Sequence, residues 1–169
     1  ADNISRGSFA MSVYDIAGTR ERAPAGEFVS SSVTEVAEYS TVIFLCLPSI
    51  SSIQDVVAEI CKAELADAAV VVNISTAGPT AAIAAHNQLH EKGIAYADAP
   101  VSGSVIRAGK GQLSVMFSSE VELFNRLKPL FNTFGNNLFN LGIKLDNSQL
   151  MKVLNNCLIH TAFVITSEA

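Results

Sequence analysis

A group of polar residues near the end of this 169-residue chain has the types and spacing needed for proton transfer. Lys152, Asn156 and His160 are spaced i, i+4 and i+8, so a helix would place them in one stripe. A lysine on an otherwise apolar helix can be desolvated, which lowers its pKa toward the range useful for general acid–base catalysis. An amide four residues further on could orient a substrate oxygen. The alternative is an ordinary solvated face, which adjacent Asn155 and Asn156 disfavour because Asn is a poor helix former.

A second polar segment, Asp98–Ser104, follows a predicted strand. Gly103 can adopt backbone angles that are closed to other residues, and Ser102 offers a hydroxyl beside it. Such a turn can present backbone N–H groups to an anion such as a carboxylate. The alternative is an ordinary turn between a strand and a loop, and these residues alone leave both interpretations open.

Asp15 lies at the end of a predicted strand, Ala10–Asp15. In dinucleotide-binding folds, an acidic residue at this place accepts hydrogen bonds from the adenosine ribose hydroxyls. The G-x-G-x-x-G loop that would precede it does not occur in this sequence. Arg20 and Arg22 follow, so a neighbouring 2′-phosphate, and with it NADP, remains an alternative.

Two patterns resemble known motifs but fail on inspection. The segment from Gly103 to Gly111 has five residues between Gly103 and Gly109, whereas a phosphate-binding loop has four. Gly111 also occupies the place of the magnesium-binding Ser or Thr. A triad of Ser102, His86 and Asp98 would lack the G-x-S-x-G elbow.

A third pattern, His86 and His90 at i and i+4, could place two imidazoles on one helix face. Asn87 occupies the place of the zinc-protease glutamate, and the sequence supplies no evident third ligand. We therefore predict a solvated helix face and no metal site.

Short apolar strands alternate with helical patterns along the chain. The predicted strands are Ala10–Asp15, Thr41–Leu47, Ala69–Ile74, Ile94–Asp98, Gln112–Phe117 and Asn137–Leu141. The predicted helices are Val33–Tyr39, Ile50–Lys62, Pro79–Lys92, Glu120–Phe134 and a long one from about Asn147 to the end. This order predicts an α/β fold with a doubly wound, Rossmann-type, mainly parallel sheet, followed by the start of a long interdomain helix.

The composition is that of a folded domain. Hydrophobic residues make up 49% and charged residues 16%, against a usual charged share of about 25%, which excludes a disordered chain. The net charge of −5 argues against nucleic-acid binding, and no apolar run approaches the ~18 residues of a membrane span. Three cysteines without a C-x-x-C pair favour the cytoplasm. The mitochondrion is an alternative, because a targeting segment would lie upstream. Cys46 is predicted to be a small buried hydrophobe.

Both ends of the chain suggest a central piece of a longer protein. Ala1–Gly7 has the composition of a helix's last turns, and the apolar final helix reaches Ala169 without a cap. We therefore expect residues 1–145 to be an N-terminally truncated dinucleotide-binding domain. Residues 146–169 would begin the interdomain helix, with a C-terminal helical domain absent.

Several motifs in this order resemble those of the β-hydroxyacid dehydrogenases, the group that includes 3-hydroxyisobutyrate dehydrogenase. Asp98–Gly103 resembles the substrate motif D-x-P-V-S-G-G, and Lys152–Asn156 resembles the catalytic K-x-x-N-N. Leu45–Ser49 is similar to the strand end that closes in L-P, and Asn73–Thr76 to the S-T turn beside the nicotinamide. Ala1–Asp15 resembles the helix and second strand that follow the glycine-rich loop. The resemblance covers essentially the whole chain.

The chain also departs from this pattern at three positions. Ser104 replaces a glycine of the substrate motif. Asp146 and Ser148 stand where a G-x-G usually precedes the catalytic helix.

The resemblance implies a nicotinamide cofactor, NAD with NADP as the alternative, at the carboxyl ends of the strands. The implied cofactor-binding residues are Asp15, Leu47, Pro48, Ser52 and Thr76. The implied substrate-binding residues are Ser102, Gly103, Ser104 and Asn155. Lys152 would be the general acid and base on the substrate hydroxyl, and Asn156 would position the same oxygen. His160 is added from helical spacing alone.

The resemblance therefore predicts an oxidoreductase that moves a hydride between the cofactor and a small β-hydroxy acid, or its semialdehyde, in a full-length homo-oligomer. This fragment alone would be inactive, and neither nucleic acid nor membrane is an expected partner. One alternative is a non-catalytic Rossmann-fold fragment or remnant that binds no cofactor tightly. A methyltransferase on the same fold is another, which the Lys152 motif disfavours.

Overall fold

The computed structural model describes residues 1–168 as alternating strands and helices. The strands are β1 (Ser12–Val13), β2 (Phe28–Val29), β3 (Val42–Leu45), β4 (Val70–Asn73), β5 (Ala95–Asp98), β6 (Val101–Ser102), β7 (Leu113–Phe117) and β8 (Gly135–Asn140). The helices are α1 (Asp2–Arg6), α2 (Thr19–Arg22), α3 (Val33–Tyr39), α4 (Ile50–Ile60), α5 (Pro79–His90), α6 (Val105–Gly109), α7 (Val121–Phe134) and α8 (Asp146–Ser167).

The strands pair mainly in parallel. β3, β4 and β5 form one parallel group, in which Leu45, Asn73 and Asp98 are in register at the carboxyl ends. β7 pairs in parallel with β8 and antiparallel with β6, and β1 pairs in parallel with β2. An antiparallel bridge between Asp98 and Ser118 joins the end of β5 to the residue after β7. The predicted α/β fold with a mainly parallel sheet is confirmed.

Alternate residues of β4 supply the two hydrophobic cores. Val71 faces a cluster formed with β3, α4 and α5, which includes Ile53 and Leu89. Val70 and Val72 face a second cluster, in which the rings of α7 and β7 pack edge to face. A strand buried on both faces needs an uninterrupted apolar run, and this explains why the valines of β4 are consecutive.

The structure differs from the sequence predictions mainly in short elements. β1 spans only Ser12–Val13, so Asp15 lies beyond the strand and not at its last position. α2, β2, β6 and α6, each five residues or fewer, were not predicted, since periodicity carries little signal over such lengths. The prediction that Cys46 is buried is wrong: β3 ends at Leu45, and Cys46 is exposed where the chain leaves the sheet.

α8 contacts the rest of the chain through its first turns only. Its buried residues are Ser148, Gln149 and Lys152. Beyond Lys152 the helix exposes apolar side chains, among them Leu158, Phe163 and Ile165. Within residues 1–168, no helix combines the length and the hydropathy needed to cross a membrane.

Phe131 offers a test of the second core, because its side chain is fully buried among three other aromatic rings. Phe131→Ala should lower the free energy of unfolding by about 3–5 kcal/mol, through lost burial and the cavity that remains. Phe139, on β8, is 48% exposed and is the matched control. Phe139→Ala should cost less than half as much in urea unfolding. Equal losses in the two variants would contradict this packing.

Candidate active site

Two polar side chains lie at the last positions of β4 and β5. Asn73 and Asp98 are paired in register, and both are completely buried. The carboxyl ends of parallel strands meet at one edge of the sheet, which is where doubly wound folds bind their ligands. A carboxylate buried there needs hydrogen-bond donors, because desolvating an unpaired charge is very costly.

The Asp98 carboxylate receives hydrogen bonds from four side chains. Asn73 Nδ2 and Tyr96 Oη each donate to Asp98 Oδ1 at 3.0 Å. Ser148 Oγ donates to Oδ2 at 2.6 Å, and Gln149 Nε2 lies 2.8 and 3.0 Å from the two oxygens. Two of the donors come from the sheet and two from the first turns of α8. The carboxylate therefore joins the catalytic helix of the sequence prediction to the sheet edge.

Two opposing effects act on the pKa of Asp98. Burial raises the pKa of this carboxyl from its ordinary 3.8 to about 6, while the hydrogen bonds from Ser148, Gln149, Tyr96 and Asn73 oppose that rise. At neutral pH the group is therefore mainly ionised. The first turn of α8 suits a negative charge, because the free N–H groups of a helix N-terminus carry partial positive charge.

Gln149 extends this network to the loop after β4. Its Nε2 donates to the Ser75 carbonyl at 3.1 Å, and its Oε1 accepts from the backbone N–H groups of Ala77 and Gly78 at 3.0 Å. A single amide thus satisfies three backbone groups of a loop and also reaches Asp98. The segment around Thr76 is held in place from both sides as a result.

Ser75 connects the ends of β3 and β4. Its hydroxyl donates to the Leu45 carbonyl at 3.1 Å and accepts from the Leu47 N–H at 2.8 Å. Ser49 then caps α4, accepting from the Ser52 N–H at 3.1 Å. These bonds set the path of the chain through Leu47 and Pro48 at the carboxyl edge. Pro48 and Thr76 are exposed there, and Leu47 and Ser52 are half-buried.

Asp15 lies at the surface beyond β1. Its side chain is 38% exposed and forms an ion pair of 3.0 Å with Arg22, which is itself 61% exposed. The backbone N–H of Ala17 and the Arg22 guanidinium lower the pKa of Asp15. The carboxylate is therefore charged at neutral pH and accessible to a ligand.

Lys152 and Asn155 lie on the buried start of α8, beside the segment that contains Ser102. Lys152 is 8% exposed, and burial lowers the pKa of its amine. Asn155 Nδ2 donates to Ser102 Oγ at 2.9 Å. The structure thus brings Asn155 and Ser102 together, with Lys152 three residues earlier on the same helix and Asn156 half-buried next along it. His160 is exposed two turns beyond Lys152.

Gly103 has a backbone conformation that other residues rarely adopt. Its φ is +146°, and a Cβ there would lie 2.7 Å from Leu113 Cδ2, the end of a side chain that can shift. The backbone conformation therefore favours glycine at this position. Ser104, which follows, is exposed at the start of α6, and α6 occupies the segment that resembled a phosphate-binding loop.

His86 and His90 stack on each other with ring centroids 5.4 Å apart. His86 also contacts the Tyr96 ring and is half-buried, so this face of α5 is less solvated than predicted. Among residues 1–168, no group of three His, Cys, Asp or Glu side chains is arranged to hold a metal ion.

The residues at the carboxyl edge of the sheet suit the binding of a nicotinamide dinucleotide. Asp15 provides an accessible carboxylate for ribose hydroxyls. Leu47 and Pro48 provide apolar contact, and Thr76 provides an exposed hydroxyl. Gly78 has a φ of +78° and open space around it, so the loop that follows Thr76 leaves room for a ligand.

Comparison with known families agrees with this geometry. The profile of the NAD binding domain of 6-phosphogluconate dehydrogenase matches residues 1–142. This chain belongs to that family. The NAD-binding domain predicted from the sequence is therefore confirmed, and NAD is its cofactor class.

This NAD-binding domain is also similar to parts of several curated enzymes. It is 28% identical to the NAD-dependent L-serine dehydrogenase of Pseudomonas aeruginosa and 30% identical to the 2-hydroxy-3-oxopropionate reductase of Escherichia coli. Both matches cover the whole chain but only 58% and 59% of the relatives. The chain thus spans somewhat more than half the length of these curated relatives.

A solved structure shares the fold. The 3-hydroxyisobutyrate dehydrogenase of Mycobacterium tuberculosis, solved with L-serine, superposes with a TM-score of 0.84 at 22% identity. The match covers 98% of this chain and 60% of that protein.

Sequence reasoning did not assign a role to the residues that surround the Asp98 carboxylate. Asn73 and Asp98 carried a usable signal, since each is a polar residue that ends an apolar strand. Ser148 and Gln149 carried little, because a serine and a glutamine in the first turn of a helix are common on surfaces. Their role depends on where the helix docks.

Asp98 makes stability depend on pH. Because its pKa is raised in the folded state, the folded protein binds more protons between about pH 4 and 6, and the free energy of unfolding falls as pH rises through this window. The expected fall from this group is about 3 kcal/mol. Asp98→Asn should have a lower free energy of unfolding at every pH, because its amide N–H groups would face the hydrogen-bond donors around position 98. Its free energy of unfolding should not fall between about pH 4 and 6, because an amide does not titrate there.

Urea unfolding of both proteins from pH 4 to pH 7 checks the prediction. Asp15 and Glu35 have lowered pKa values, so each makes the free energy of unfolding rise with pH. Both proteins contain these two groups, so their contribution cancels when the two pH curves are compared. Asp67→Asn, an exposed aspartate, is the control and should keep the wild-type slope. Parallel curves for the wild type and Asp98→Asn would refute the assignment.

Proposed function

We propose that this chain is the cofactor-binding and catalytic part of an oxidoreductase. It would transfer a hydride between NAD and a small β-hydroxy acid, similar to 3-hydroxyisobutyrate, or the corresponding semialdehyde. The observation that carries the proposal is the buried Lys152, three residues before the Asn155 that hydrogen-bonds Ser102, on the helix that docks at the carboxyl edge of an NAD-binding domain.

The position of Lys152 supports a role in proton transfer. Oxidation of an alcohol removes a hydride from the carbinol carbon and a proton from its hydroxyl, and a C=O double bond results. NAD, when bound, accepts the hydride. The proton passes to the neutral amine of Lys152, whose pKa burial has lowered toward the working range of a general base. In the reverse direction the protonated amine returns it to the forming hydroxyl. Asn156 would hold the same oxygen.

The segment from Ser102 to Ser104 supports binding of the substrate carboxylate. Because Ser102 Oγ accepts a hydrogen bond from Asn155, its own O–H remains free to donate to a carboxylate oxygen. Gly103 allows the backbone to approach the ligand closely, since it has no side chain and its φ of +146° favours glycine. Both the L-serine dehydrogenase relative and the L-serine-containing structure concern a small acid with a β-hydroxyl, which favours this substrate class.

The division of the chain follows from the same proposal. Residues 1–145 form the dinucleotide-binding domain, with Asp15, Leu47, Pro48, Ser52 and Thr76 at the cofactor. The segment from residue 146 would begin an interdomain helix, whose exposed apolar residues would be covered in a complete homo-oligomeric enzyme. Ala169, the last residue of that expected segment, lies outside the described residues. Three free cysteines favour the cytoplasm, with the mitochondrion as the alternative.

Lys152→Ala in the complete protein should lower kcat by about 10²–10⁴, the usual contribution of a general acid or base. NAD affinity should change little, because Lys152 lies away from the Asp15 end of the site. Lys152→Arg should not restore the rate, since a guanidinium stays protonated. Lys128→Ala, at an exposed position of α7, is the control and should keep the wild-type rate. Steady-state kinetics with 3-hydroxyisobutyrate and L-serine measure these effects. A near-normal kcat for Lys152→Ala would refute the assignment of the catalyst.

The complete protein should prefer NAD to NADP by about tenfold or more in kcat/KM, because the Asp15 carboxylate repels a 2′-phosphate. Asp15→Asn should narrow that preference. Asp67→Asn, an exposed aspartate at the opposite, amino-terminal end of β4, should leave it unchanged. A clear preference of the wild type for NADP would contradict the prediction and point to Arg20 and Arg22.

A further inference from the structure

Ser148 has a bonding pattern that the proposed reaction does not explain. It is completely buried, and its hydroxyl lies 2.6 Å from Asp98 Oδ2 and 3.1 Å from the Leu145 carbonyl. The pattern that this chain resembles has a glycine at this position, so the hydroxyl is a feature of this sequence. The only donor that α8 supplies to Asp98 besides Ser148 is Gln149, within the described residues 146–167.

The spacing along α8 relates Ser148 to the proposed catalyst. Ser148 and Lys152 are four residues apart, so they lie one above the other on the same face of the helix. Asn155 and Asn156 are half-buried, and the helix is exposed from Cys157 onward. Within residues 1–168, Asn155 is the next α8 residue that bonds to the sheet segment. The bond to Asp98 therefore fixes the rotation and height of the helix one turn before the amine.

We propose that Ser148 is a positioning residue for Lys152: its hydrogen bond to Asp98 docks the first turn of α8 on the end of β5 and so keeps the Lys152 amine buried. The expected effect of Ser148 on catalysis rests on the proposed function. Its expected effect on the burial of the Lys152 amine does not depend on that function.

The expected consequence is a change in the basicity of Lys152. Burial is what lowers the pKa of this amine. Asp98, on β5, is the buried carboxylate that faces the same helix start, and it keeps its charge in this variant. Loss of the Ser148 bond would let the first turn move and admit water to the amine, and the pKa of Lys152 would rise. The other titratable groups on the elements packed here are Tyr96 on β5, His86 and His90 on α5, and Asp146, Cys157 and His160 on α8. The substitution leaves all of them in place.

The test compares Ser148→Ala with Ser119→Ala in the complete protein. Ser119 is a buried serine whose hydroxyl donates to the Tyr96 carbonyl at 3.2 Å, so its removal also costs one buried hydrogen bond but leaves α8 attached. Acylation of Lys152 by acetic anhydride, followed by peptide mass spectrometry across pH, gives the amine pKa without cofactor or turnover. The pH dependence of kcat reports the pKa of the same amine during the reaction.

Ser148→Ala should move the labelling midpoint and the corresponding limb of the kcat profile to higher pH. It should lower kcat by about 10- to 100-fold, as expected for a misplaced catalytic group, with KM for NAD within about twofold. Ser119→Ala should shift neither midpoint. Alanine is the best helix former, so α8 should persist. If Ser148→Ala nevertheless unfolds, Ser148→Cys, whose thiol is close in size but only a weak hydrogen-bond donor, should shift the midpoint in the same direction.

Three outcomes separate this inference from the proposed function. Equal labelling midpoints in wild type, Ser148→Ala and Ser119→Ala overturn the positioning role, whatever the activity. A shifted midpoint in a protein with no dehydrogenase activity supports the positioning role and overturns the proposed function. If the wild type is active and the pH profile of kcat is the same in Ser148→Ala, the proposed function is retained and the positioning role is overturned.

Discussion

The Asp98 carboxylate is the interaction on which the candidate site depends. It is fully buried at the end of β5, and four side chains donate to it, two from the sheet and two from α8. A buried charge with this many donors is stable only when every donor is in place, since each missing partner leaves part of the charge uncompensated. The carboxylate therefore imposes one arrangement of the sheet edge and of the helix start.

The site has a part that is held by hydrogen bonds, at the ends of β3 and β4, and a part that is exposed, along the remainder of α8. The loop after β4 is held by Gln149, and the ends of β3 and β4 are joined through Ser75. This edge carries Leu47, Pro48, Ser52 and Thr76, which are proposed to contact the cofactor, whereas Asp15 lies apart from it beyond β1. The rest of α8 exposes its apolar side chains, so in this chain the substrate side of the site consists of the first turns of α8 and the segment from Ser102 to Ser104. Precise placement of a catalytic group commonly comes from such supporting bonds.

A single helical turn combines two functions in this arrangement. Ser148 and Gln149 satisfy the buried carboxylate, and Lys152 follows on the same face with its amine desolvated. A network that stabilises the fold thus also sets the environment of the proposed general base. Substitutions in it are expected to affect stability and catalysis together, which is why a matched control serine is needed to separate them.

The sequence by itself determined the alternation of strands and helices, the parallel sheet and the family, because hydrophobic periodicity and local motifs are short-range properties. It also placed Lys152 and Asn156 on one helix and made Gly103 a special position. It could not show that Cys46 is exposed or that β1 stops before Asp15, because strand ends depend on which neighbour supplies hydrogen bonds. Only the tertiary structure decided that Asp98 and Ser148, fifty residues apart, share a hydrogen bond. Their pairing depends on how α8 docks on the sheet, and no local pattern encodes that.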